Sequence, residues 1–266
     1  MFDETAVEYD EMYELSYAWS YSRLHAIIAE QVIKKYNPKT VLDIACGTGL
    51  QTYLYAAGNA SVTGVDISKN LIRSAREKKL YYNGFKGLEL FPVYFDFVKK
   101  YNKKIAEYLN LNGTKSFSYP QPKFFMADAA RLPFENEQFD HVNFVGALSF
   151  MEKYHKALSE AARVLKPGGT FFLEVESRWH LQLFWRTVNY LSNDKLGDHS
   201  NLNDIRKLLF TRPYRSVSAS YPLKAFGHLT SIDGRFFTFY ELRHILKREG
   251  FDILGRWPIH TITNII

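Results

Sequence analysis

A short apolar segment that ends in two glycines contains the first residues that could bind a ligand. Residues Val41 to Gly49 read VLDIACGTG, and Asp43 alone interrupts the apolar run at its start. Such a run is typical of a strand buried inside a parallel sheet. Gly47 and Gly49 predict a tight turn into a helix that begins at Leu50. A strand that turns into a helix in this way is expected to present bare backbone N–H groups to a ligand.

The residues around this turn indicate what kind of ligand it binds. A dinucleotide-binding turn carries a third glycine, and Thr52 stands at that position here. Asp43 would repel a pyrophosphate but would attract a ligand with a positive charge. Asp66 lies 17 residues beyond Gly49 at the tip of a second predicted strand, where a carboxylate can accept hydrogen bonds from both ribose hydroxyls. Taken alone, Asp66 could also be an ordinary helix-capping acid.

A third acidic residue follows the next clear strand signal along the chain. The segment Lys123 to Met126 leads into Asp128 and Ala129. In a doubly wound sheet this strand lies beyond the second one, on the side where the base of a nucleoside would sit. Asp128 could accept a hydrogen bond from an adenine amino group, and the N–H of Ala129 could donate to a ring nitrogen. Taken alone, Asp128 could be a plain loop acid. A fourth strand that ends at Val145 would border the same crevice.

The hydrophobic periodicity predicts the elements that position these residues. Helical spacing covers Ala18 to Tyr36 ahead of the turn, and Ser68 is the predicted cap of a helix that runs to about Leu80. Further helices are predicted over Gln51–Ala57, Phe91–Leu109, Glu152–Leu165, Arg178–Leu191 and Phe236–Glu249. Further strands are predicted over Ser61–Val65, Phe139–Val145, Thr170–Val175, Phe251–Trp257 and Thr261–Ile266.

Several motifs occur in an order and at a spacing that match one enzyme family. They are Asp43–Gly49, Gly64-Val65-Asp66-Ile67-Ser68, Asp128-Ala129, Phe139-Asp140 and Arg163-Val164-Leu165-Lys166-Pro167-Gly168-Gly169. Together they resemble the class I S-adenosylmethionine-dependent methyltransferases, in the branch similar to the ubiquinone and menaquinone methyltransferases. The resemblance covers Thr40 to Glu176 and the N-terminal pattern Ala6-x-x-Tyr9-Asp10. Two features depart from the family pattern: the insertion Tyr81 to Pro122, and Ala45 where many relatives carry glycine.

The resemblance implies a fold, a cofactor and a set of site residues. The implied fold is α/β: a Rossmann-like, doubly wound sheet of seven strands, mostly parallel with an antiparallel last strand, and helices on both faces. It is a single methyltransferase domain over residues 1–266, with an N-terminal helical lid (1–37), an insertion (81–122) and an enlarged substrate cap (177–235). The implied cofactor is S-adenosyl-L-methionine, and no metal is implied. The residues implied to bind the cofactor are Tyr9, Asp43, Ala45, Cys46, Gly47, Gly49, Asp66, Ile67, Asp128, Ala129 and Val145.

Methyl transfer from a sulfonium makes modest demands on catalytic side chains. Most of the acceleration can come from holding the acceptor atom and the methyl carbon about 3 Å apart and in line. A base is needed only if the acceptor must lose a proton. His180, His228 and Tyr240 are candidates, with His141 and His155 considered as well, and each could equally be structural or exposed.

Some acceptors can be argued against from the residues. Cys46 is the single cysteine and belongs to the cofactor turn, which argues against pyrimidine methylation through a cysteine adduct. Phe144 to Ala147 lacks the Asn/Asp-Pro-Pro-Tyr pattern used to methylate planar amino groups. No carboxylate cluster suggests a catechol-type magnesium site. The expected partner is therefore a small molecule of aromatic or apolar character, methylated on O, N or C.

Composition and charge keep other classes of protein in view. The chain carries a net charge of +6, and from Ser177 onward 13 Lys and Arg face 7 Asp and Glu. This basic last third makes a methyltransferase acting on RNA or protein the alternative. A non-catalytic binding protein is disfavoured by three intact acids, and a nicotinamide dehydrogenase is disfavoured by Thr52 and Asp43. The aromatic segment Arg178 to Leu191 could cap the substrate pocket, form a homodimer face or lie on a membrane surface. No signal peptide or transmembrane run is visible, so a cytoplasmic location is expected.

Overall fold

The computed structural model describes residues 16–78, 80–82, 93–95, 119–178, 210–225 and 228–256. Its contacts divide the chain into two compact units. Unit 1 comprises Met1–Val145 and Arg163–Leu173, and unit 2 comprises Gly146–Ala162 and Glu174–Ile266. The expectation of one domain with a lid, an insertion and a cap stays a prediction.

A parallel sheet of five strands forms the centre of unit 1. The strands of this unit, in chain order, are β1 (Thr40–Ile44), β2 (Ser61–Asp66), β3 (Leu80–Tyr82), β4 (Val93–Phe95), β5 (Lys123–Met126), β6 (Phe139–Phe144) and β7 (Leu165–Leu173). The sheet has the order β5-β2-β1-β6-β7, and all its pairings are parallel. This order confirms the predicted Rossmann-like fold with a mostly parallel sheet. It also places the reversal of strand order at β1, where such folds bind their ligands.

An apolar cluster in unit 1 joins two of its three described helices to the sheet. Helix α1 (Ser16–Tyr36) precedes β1, α2 (Leu50–Ala57) follows the glycine turn, and α3 (Lys69–Glu77) follows β2. The largest described cluster joins Ala29 of α1, Leu54 of α2 and Val41 of β1. Burial on both faces explains why β1 reads as a continuous apolar run. Ser68 caps α3 as predicted, since its hydroxyl accepts a hydrogen bond from the N–H of Leu71 at 3.1 Å.

One carboxylate fastens the amino ends of three neighbouring strands. Asp140 of β6 accepts hydrogen bonds from the N–H groups of Lys39 and Thr40, both at 2.9 Å. It also forms an ion pair with Lys166 of β7 at 2.7 Å. Burial acts to raise the pKa of Asp140, but the hydrogen bonds from Lys166 and Thr40 prevail and lower it to about 2. This end of the sheet therefore serves to hold the strands together.

The predicted insertion begins with two short strands instead of a longer helix. Strand β3 pairs antiparallel with β4, with Tyr81 opposite Tyr94. The prediction that α3 runs to about Leu80 was therefore wrong, because α3 ends at Glu77. The helix predicted over Phe91–Leu109 was wrong for residues 93–95, and the remainder of it lies outside the described residues. Aromatic residues favour paired strands, and this preference outweighed the helical spacing.

Unit 2 contains a β-hairpin followed by a helix. Strands β8 (Val217–Ala225) and β9 (His228–Phe236) pair antiparallel along their whole length. A 3₁₀ turn (Leu148–Phe150) and helix α4 (Tyr154–Val164) precede the hairpin in the chain. Helix α5 (Phe239–Arg248) follows it. Thr238 caps α5 through the N–H of Glu241. The helix starts later than predicted because Phe236 belongs to the hairpin.

The last two predicted strands are not part of the described sheet. Residues 251–256 form no strand, so the strand predicted over Phe251–Trp257 was wrong for that part. Thr261–Ile266 lies outside the described residues. A seventh strand running antiparallel to its neighbours is therefore not found in the part of the sheet that the structure describes. Within the described residues, no helix combines the length and the apolar character needed to cross a membrane.

Candidate functional site

The turn after β1 requires unusual backbone conformations. Ala45, Gly47 and Gly49 have φ angles of 55°, 55° and 83°, in the left-handed region. At Gly49 a Cβ would also lie 3.0 Å from the ring of Phe124. Glycine reaches these angles without a steric cost, whereas alanine does not. Ala45, the departure from the family pattern noted above, is therefore a strained position.

Replacing Ala45 by glycine is expected to stabilise the protein. The left-handed conformation costs alanine roughly 1–2 kcal/mol, and the extra freedom of glycine in the unfolded chain offsets part of the gain. Ala45→Gly should therefore raise the free energy of unfolding by up to about 1 kcal/mol, measured by urea denaturation. The control Ala162→Gly, within helix α4, should lower it by about as much. A loss of stability in Ala45→Gly would contradict the strain.

The N–H groups of this turn are used within the protein. The N–H of Cys46 donates to the carbonyl of Val65 at 2.9 Å, and that of Gly49 donates to the carbonyl of Cys46 at 2.8 Å. The N–H of Gly47 donates to Oδ2 of Asp66 at 2.9 Å. The expectation that the turn presents bare N–H groups was wrong for these three residues. Their use inside the protein makes these three donors unavailable to a phosphate.

Asp43 lies beneath the turn and is almost completely buried. Its Oδ1 accepts a hydrogen bond from Nδ2 of Asn143 at 2.7 Å, and its Oδ2 accepts one from the hydroxyl of Thr52 at 2.6 Å. Burial raises the pKa of Asp43 to about 6, although these two hydrogen bonds act to lower it. Asp43 therefore joins β1 to α2 and β6 and carries a negative charge at neutral pH.

Asp66 stands at the end of β2, beside the same turn. Its Oδ2 accepts from Gly47, and its Oδ1 accepts from the N–H of Ser68 at 2.9 Å. Each carboxylate oxygen has two lone pairs, so one carboxylate can accept from several donors at once. The next residue, Ile67, is 68% exposed although it is apolar. The end of β2 thus combines a hydrogen-bond acceptor with an exposed apolar side chain.

The remaining cofactor candidates lie at the neighbouring strand ends. The N–H of Ala127 donates to the carbonyl of Asp66 at 2.9 Å, which holds the ends of β5 and β2 side by side. Asp128 is exposed and accepts from the N–H of Ala130 at 2.8 Å, while Ala129 is buried. Val145 follows β6 directly. Tyr9 lies outside the described residues.

Cys46 completes the turn as an inert thiol. Its side chain is buried, and burial raises its pKa well above the usual value, with further contributions from Asp43 and Asp66. A thiol in this state is a poor nucleophile. Among the described residues, no group of three or more His, Cys, Asp or Glu side chains is placed to hold a metal ion.

The catalytic candidates do not form a common site within the part of the chain that the structure describes. His180 lies outside it, and His228 is described only as the backbone partner of Ala225 in the hairpin. Tyr240 is 69% exposed, with its ring 5.9 Å from that of Tyr214. His141 is fully buried, and burial lowers its pKa to about 3, which makes it too weak a base for neutral pH. No residue is assigned as a base here.

The partners of Asp43 were not singled out by the sequence reasoning. Thr52 stands where a dinucleotide-binding turn has glycine, and Asn143 lies within the predicted strand Phe139–Val145. A signal was present, however, in strand β6. His141 and Asn143 are two residues apart and therefore face the same side of a strand whose other residues are mostly apolar. Polar residues at such buried positions require partners.

Two family models and several known proteins are similar to this chain. Two family models, both described as "Methyltransferase domain", match residues 94–173 and 41–89. An uncharacterized protein of Methanocaldococcus jannaschii is 27% identical over 95% of this chain and 75% of its own length. A demethylmenaquinone methyltransferase of Symbiobacterium thermophilum is 28% identical over 70% of this chain and 64% of its own length. A crystal structure of a SAM-dependent methyltransferase from Methanosarcina mazei superposes with a TM-score of 0.52 at 22% identity, covering 82% of each chain.

The fold and the family matches together define a methyltransferase domain of the Rossmann-like type. These matches support a class I S-adenosylmethionine-dependent methyltransferase related to the demethylmenaquinone methyltransferases, and they imply S-adenosyl-L-methionine as the cofactor. The chain spans about half to two thirds of the length of the demethylmenaquinone methyltransferases that it matches.

Proposed function

We propose that the carboxyl ends of β1, β2 and β5 bind S-adenosylmethionine in this chain. The observation that carries this proposal is the pairing of buried Asp43 and Asp66 with a turn in which the N–H groups of Cys46, Gly47 and Gly49 are already used. Such a site favours a cation and disfavours a phosphate. It therefore suits a ligand that combines an ammonium, a sulfonium and a ribose.

Each candidate residue has a role consistent with its surroundings. Asp43 supplies negative charge below the turn, and Asp66 offers carboxylate lone pairs to the ribose hydroxyls. The exposed side chain of Ile67 offers an apolar surface to the adenine ring. Asp128 and Ala129 are suited to the edge of that ring. The residues proposed to line the rest of the site are Tyr9, Ala45, Cys46, Gly47, Gly49 and Val145.

We further propose that the methyl group passes to a small acceptor of aromatic or apolar character. The bound cofactor supplies a methyl group on a positively charged sulfur, and the protein contributes alignment and the exclusion of water. The support for this acceptor class is the set of relatives named demethylmenaquinone methyltransferases. The alternative, methylation of RNA or protein, has no support in the comparisons above. A homodimer and a location in the cell stay predictions.

Calorimetric titration with S-adenosylhomocysteine tests the cofactor site. We expect saturable binding of S-adenosylhomocysteine and no binding of NADH under the same conditions, because NADH carries a pyrophosphate. Circular dichroism on the same sample confirms that the protein is folded. Absence of S-adenosylhomocysteine binding by folded protein, or tighter binding of NADH, would overturn the proposed site.

Transfer of a radiolabelled methyl group tests the acceptor class. The labelled cofactor is incubated with the protein and, in parallel, a reduced naphthoquinone with an isoprenoid tail, total RNA, or a mixture of basic proteins. We expect label in the organic extract of the first reaction. Label in the RNA or protein fraction alone would replace the proposed acceptor by the alternative.

A further inference from the structure

A chain of polar side chains, buried except for the half-buried Thr170, leads to Asp43. The hydroxyl of Thr170 on β7 lies 2.8 Å from Nδ1 of His141 on β6. Nε2 of His141 lies 3.0 Å from the hydroxyl of Tyr55 on α2, which in turn lies 3.5 Å from Oδ1 of Asn143. Asn143 donates to Asp43 at 2.7 Å. We call Thr170, His141, Tyr55 and Asn143 the relay. All its members belong to unit 1.

One assignment of the protons makes every hydrogen bond of the relay point towards Asp43. Asn143 donates through Nδ2 to the carboxylate, so its Oδ1 faces Tyr55 and accepts from the tyrosine hydroxyl. His141 is neutral, because burial lowers its pKa to about 3, and it therefore carries one ring proton. We assign the proton of Tyr55 to its 3.5 Å contact with Asn143; the His141 proton then lies on Nε2, and Nδ1 accepts from Thr170. Such an aligned chain stabilises negative charge at its end.

The relay is too costly to be explained as filling of the core. His141 and Asn143 are 0% exposed, and Tyr55 is 1% exposed. Burial of polar groups costs free energy that hydrogen bonds only compensate, and apolar residues of similar shape would often stabilise a fold equally well. The four side chains form one continuous set of contacts that ends at the carboxylate of Asp43.

The other titratable groups around Asp43 do not stabilise its charge. Asp66 on β2 raises the pKa of Asp43 by repulsion. Cys46 in the turn and Tyr55 on α2 are neutral, and burial raises the pKa values of both far above the neutral range. His141 on β6 is neutral as well. The relay, together with the hydroxyl and N–H of Thr52, therefore supplies the described stabilisation of the anion.

We propose that the relay is a positioning device that keeps Asp43 charged, and thereby keeps the turn after β1 in the state that binds the cofactor cation. This inference rests on the proposed cofactor site for its functional part. Its first part, the effect of Tyr55 and Thr170 on the charge of Asp43, holds independently of any ligand. None of the relay residues is proposed to touch the cofactor, so their effect reaches it through Asp43.

Removal of the Tyr55 hydroxyl tests the relay. In Tyr55→Phe, we expect the pKa of Asp43, followed by carbon NMR of the side-chain carboxyl group, to rise by about one pH unit, because the aligned donors are lost. Asp43→Asn identifies the resonance. S-adenosylhomocysteine affinity at pH 6.5 should fall about twofold to threefold, with a smaller loss at pH 8.5, where Asp43 is charged in both proteins. Thr170→Val, at the far end of the relay, should produce a smaller change in the same direction.

Tyr53→Phe is the matched control on the same helix. The Tyr53 hydroxyl shares its proton between the carbonyls of Ala75 and Lys78, at 2.8 and 3.0 Å, and its side chain is 3% exposed, but it has no described contact with the relay. It should lower stability without moving the Asp43 titration. Equal titrations of Asp43 in wild type and Tyr55→Phe would overturn the relay. If the titration moves but wild-type protein binds no S-adenosylhomocysteine, the relay stands and the proposed cofactor site fails.

Discussion

Asp43→Asn is expected to give a more stable protein that binds the cofactor less well. The carboxylate is buried, and its pKa is raised from 3.8 to about 6, which means that its charge is unfavourable in the folded state. A rise of this size in the pKa corresponds to roughly 3 kcal/mol, which sets the upper limit of the gain in stability above pH 6. An asparagine can keep the two side-chain hydrogen bonds, because it can accept from Asn143 while the hydroxyl of Thr52 turns to accept from it, and weakening of the hydrogen bond from the N–H of Thr52 reduces the gain.

The pH dependence follows from the raised pKa of Asp43. Between about pH 4 and pH 6 the folded state holds a proton on Asp43 that the unfolded state has lost, so wild-type stability falls as the pH rises through this window. The advantage of Asp43→Asn should therefore grow from about pH 4 to pH 6 and stay constant above. Urea denaturation across this range measures it. A constant advantage at all pH values would show that the charge is not the cause.

Asp140→Asn provides the opposite case in the same sheet. The pKa of Asp140 is lowered to about 2, so its charge favours the folded state above about pH 4 and this benefit disappears as the pH falls towards 2. Asp140→Asn should therefore destabilise the protein at neutral pH. The functional cost should belong to Asp43→Asn alone. Loss of the charge below the turn should weaken S-adenosylhomocysteine binding about tenfold, since a buried charge acts on a nearby cation with more than about 1 kcal/mol.

Asp66→Ala is expected to cause the largest loss of cofactor affinity. The substitution removes the carboxylate proposed to bind the ribose and also releases the N–H groups of Gly47 and Ser68. Hydrogen bonds to a charged group contribute about 1.5–3 kcal/mol, so the dissociation constant should rise roughly tenfold to 150-fold in a calorimetric titration.

Asp128→Ala is the comparison for this loss. Asp128 is also a strand-end acid, but it is exposed, and its carboxylate holds only the N–H of Ala130 among its described contacts. Its loss should weaken binding by about 1 kcal/mol, because an exposed hydrogen bond is worth less. Unchanged affinity in folded Asp66→Ala would remove Asp66 from the site.

Much of the sheet could be predicted from the sequence because its strands obey simple rules. The strand beginning near Ser61 and the one over Lys123–Met126 were identified by their apolar or β-branched residues, and the glycine turn separated β1 from α2. The acids at the strand ends could be selected because parallel strands bring their carboxyl ends to one edge. Local pattern was less informative near Leu80, where pairing between β3 and β4 ended the helix.

The internal chemistry of the site could not be predicted because it depends on contacts distant in sequence. Asp43 and Asn143 are 100 residues apart, and Gly47 and Asp66 are 19 apart. The sequence indicated a turn with bare N–H groups. No local pattern shows that the carbonyl of Val65 and the carboxylate of Asp66 accept hydrogen bonds from these groups. His141 was considered as a base, but only its burial among Thr170 and Tyr55 shows that it is a neutral hydrogen-bonding residue.

The position of Cys46 has a practical consequence. The chain has one cysteine, and its thiol is shielded inside the turn that the cofactor is proposed to occupy. A thiol-specific reagent can reach Cys46 only when that turn opens, so the speed of modification of the native chain measures how often it opens. The protein therefore carries an intrinsic probe at one defined point, and no cysteine has to be introduced or removed before the motion of the turn is followed.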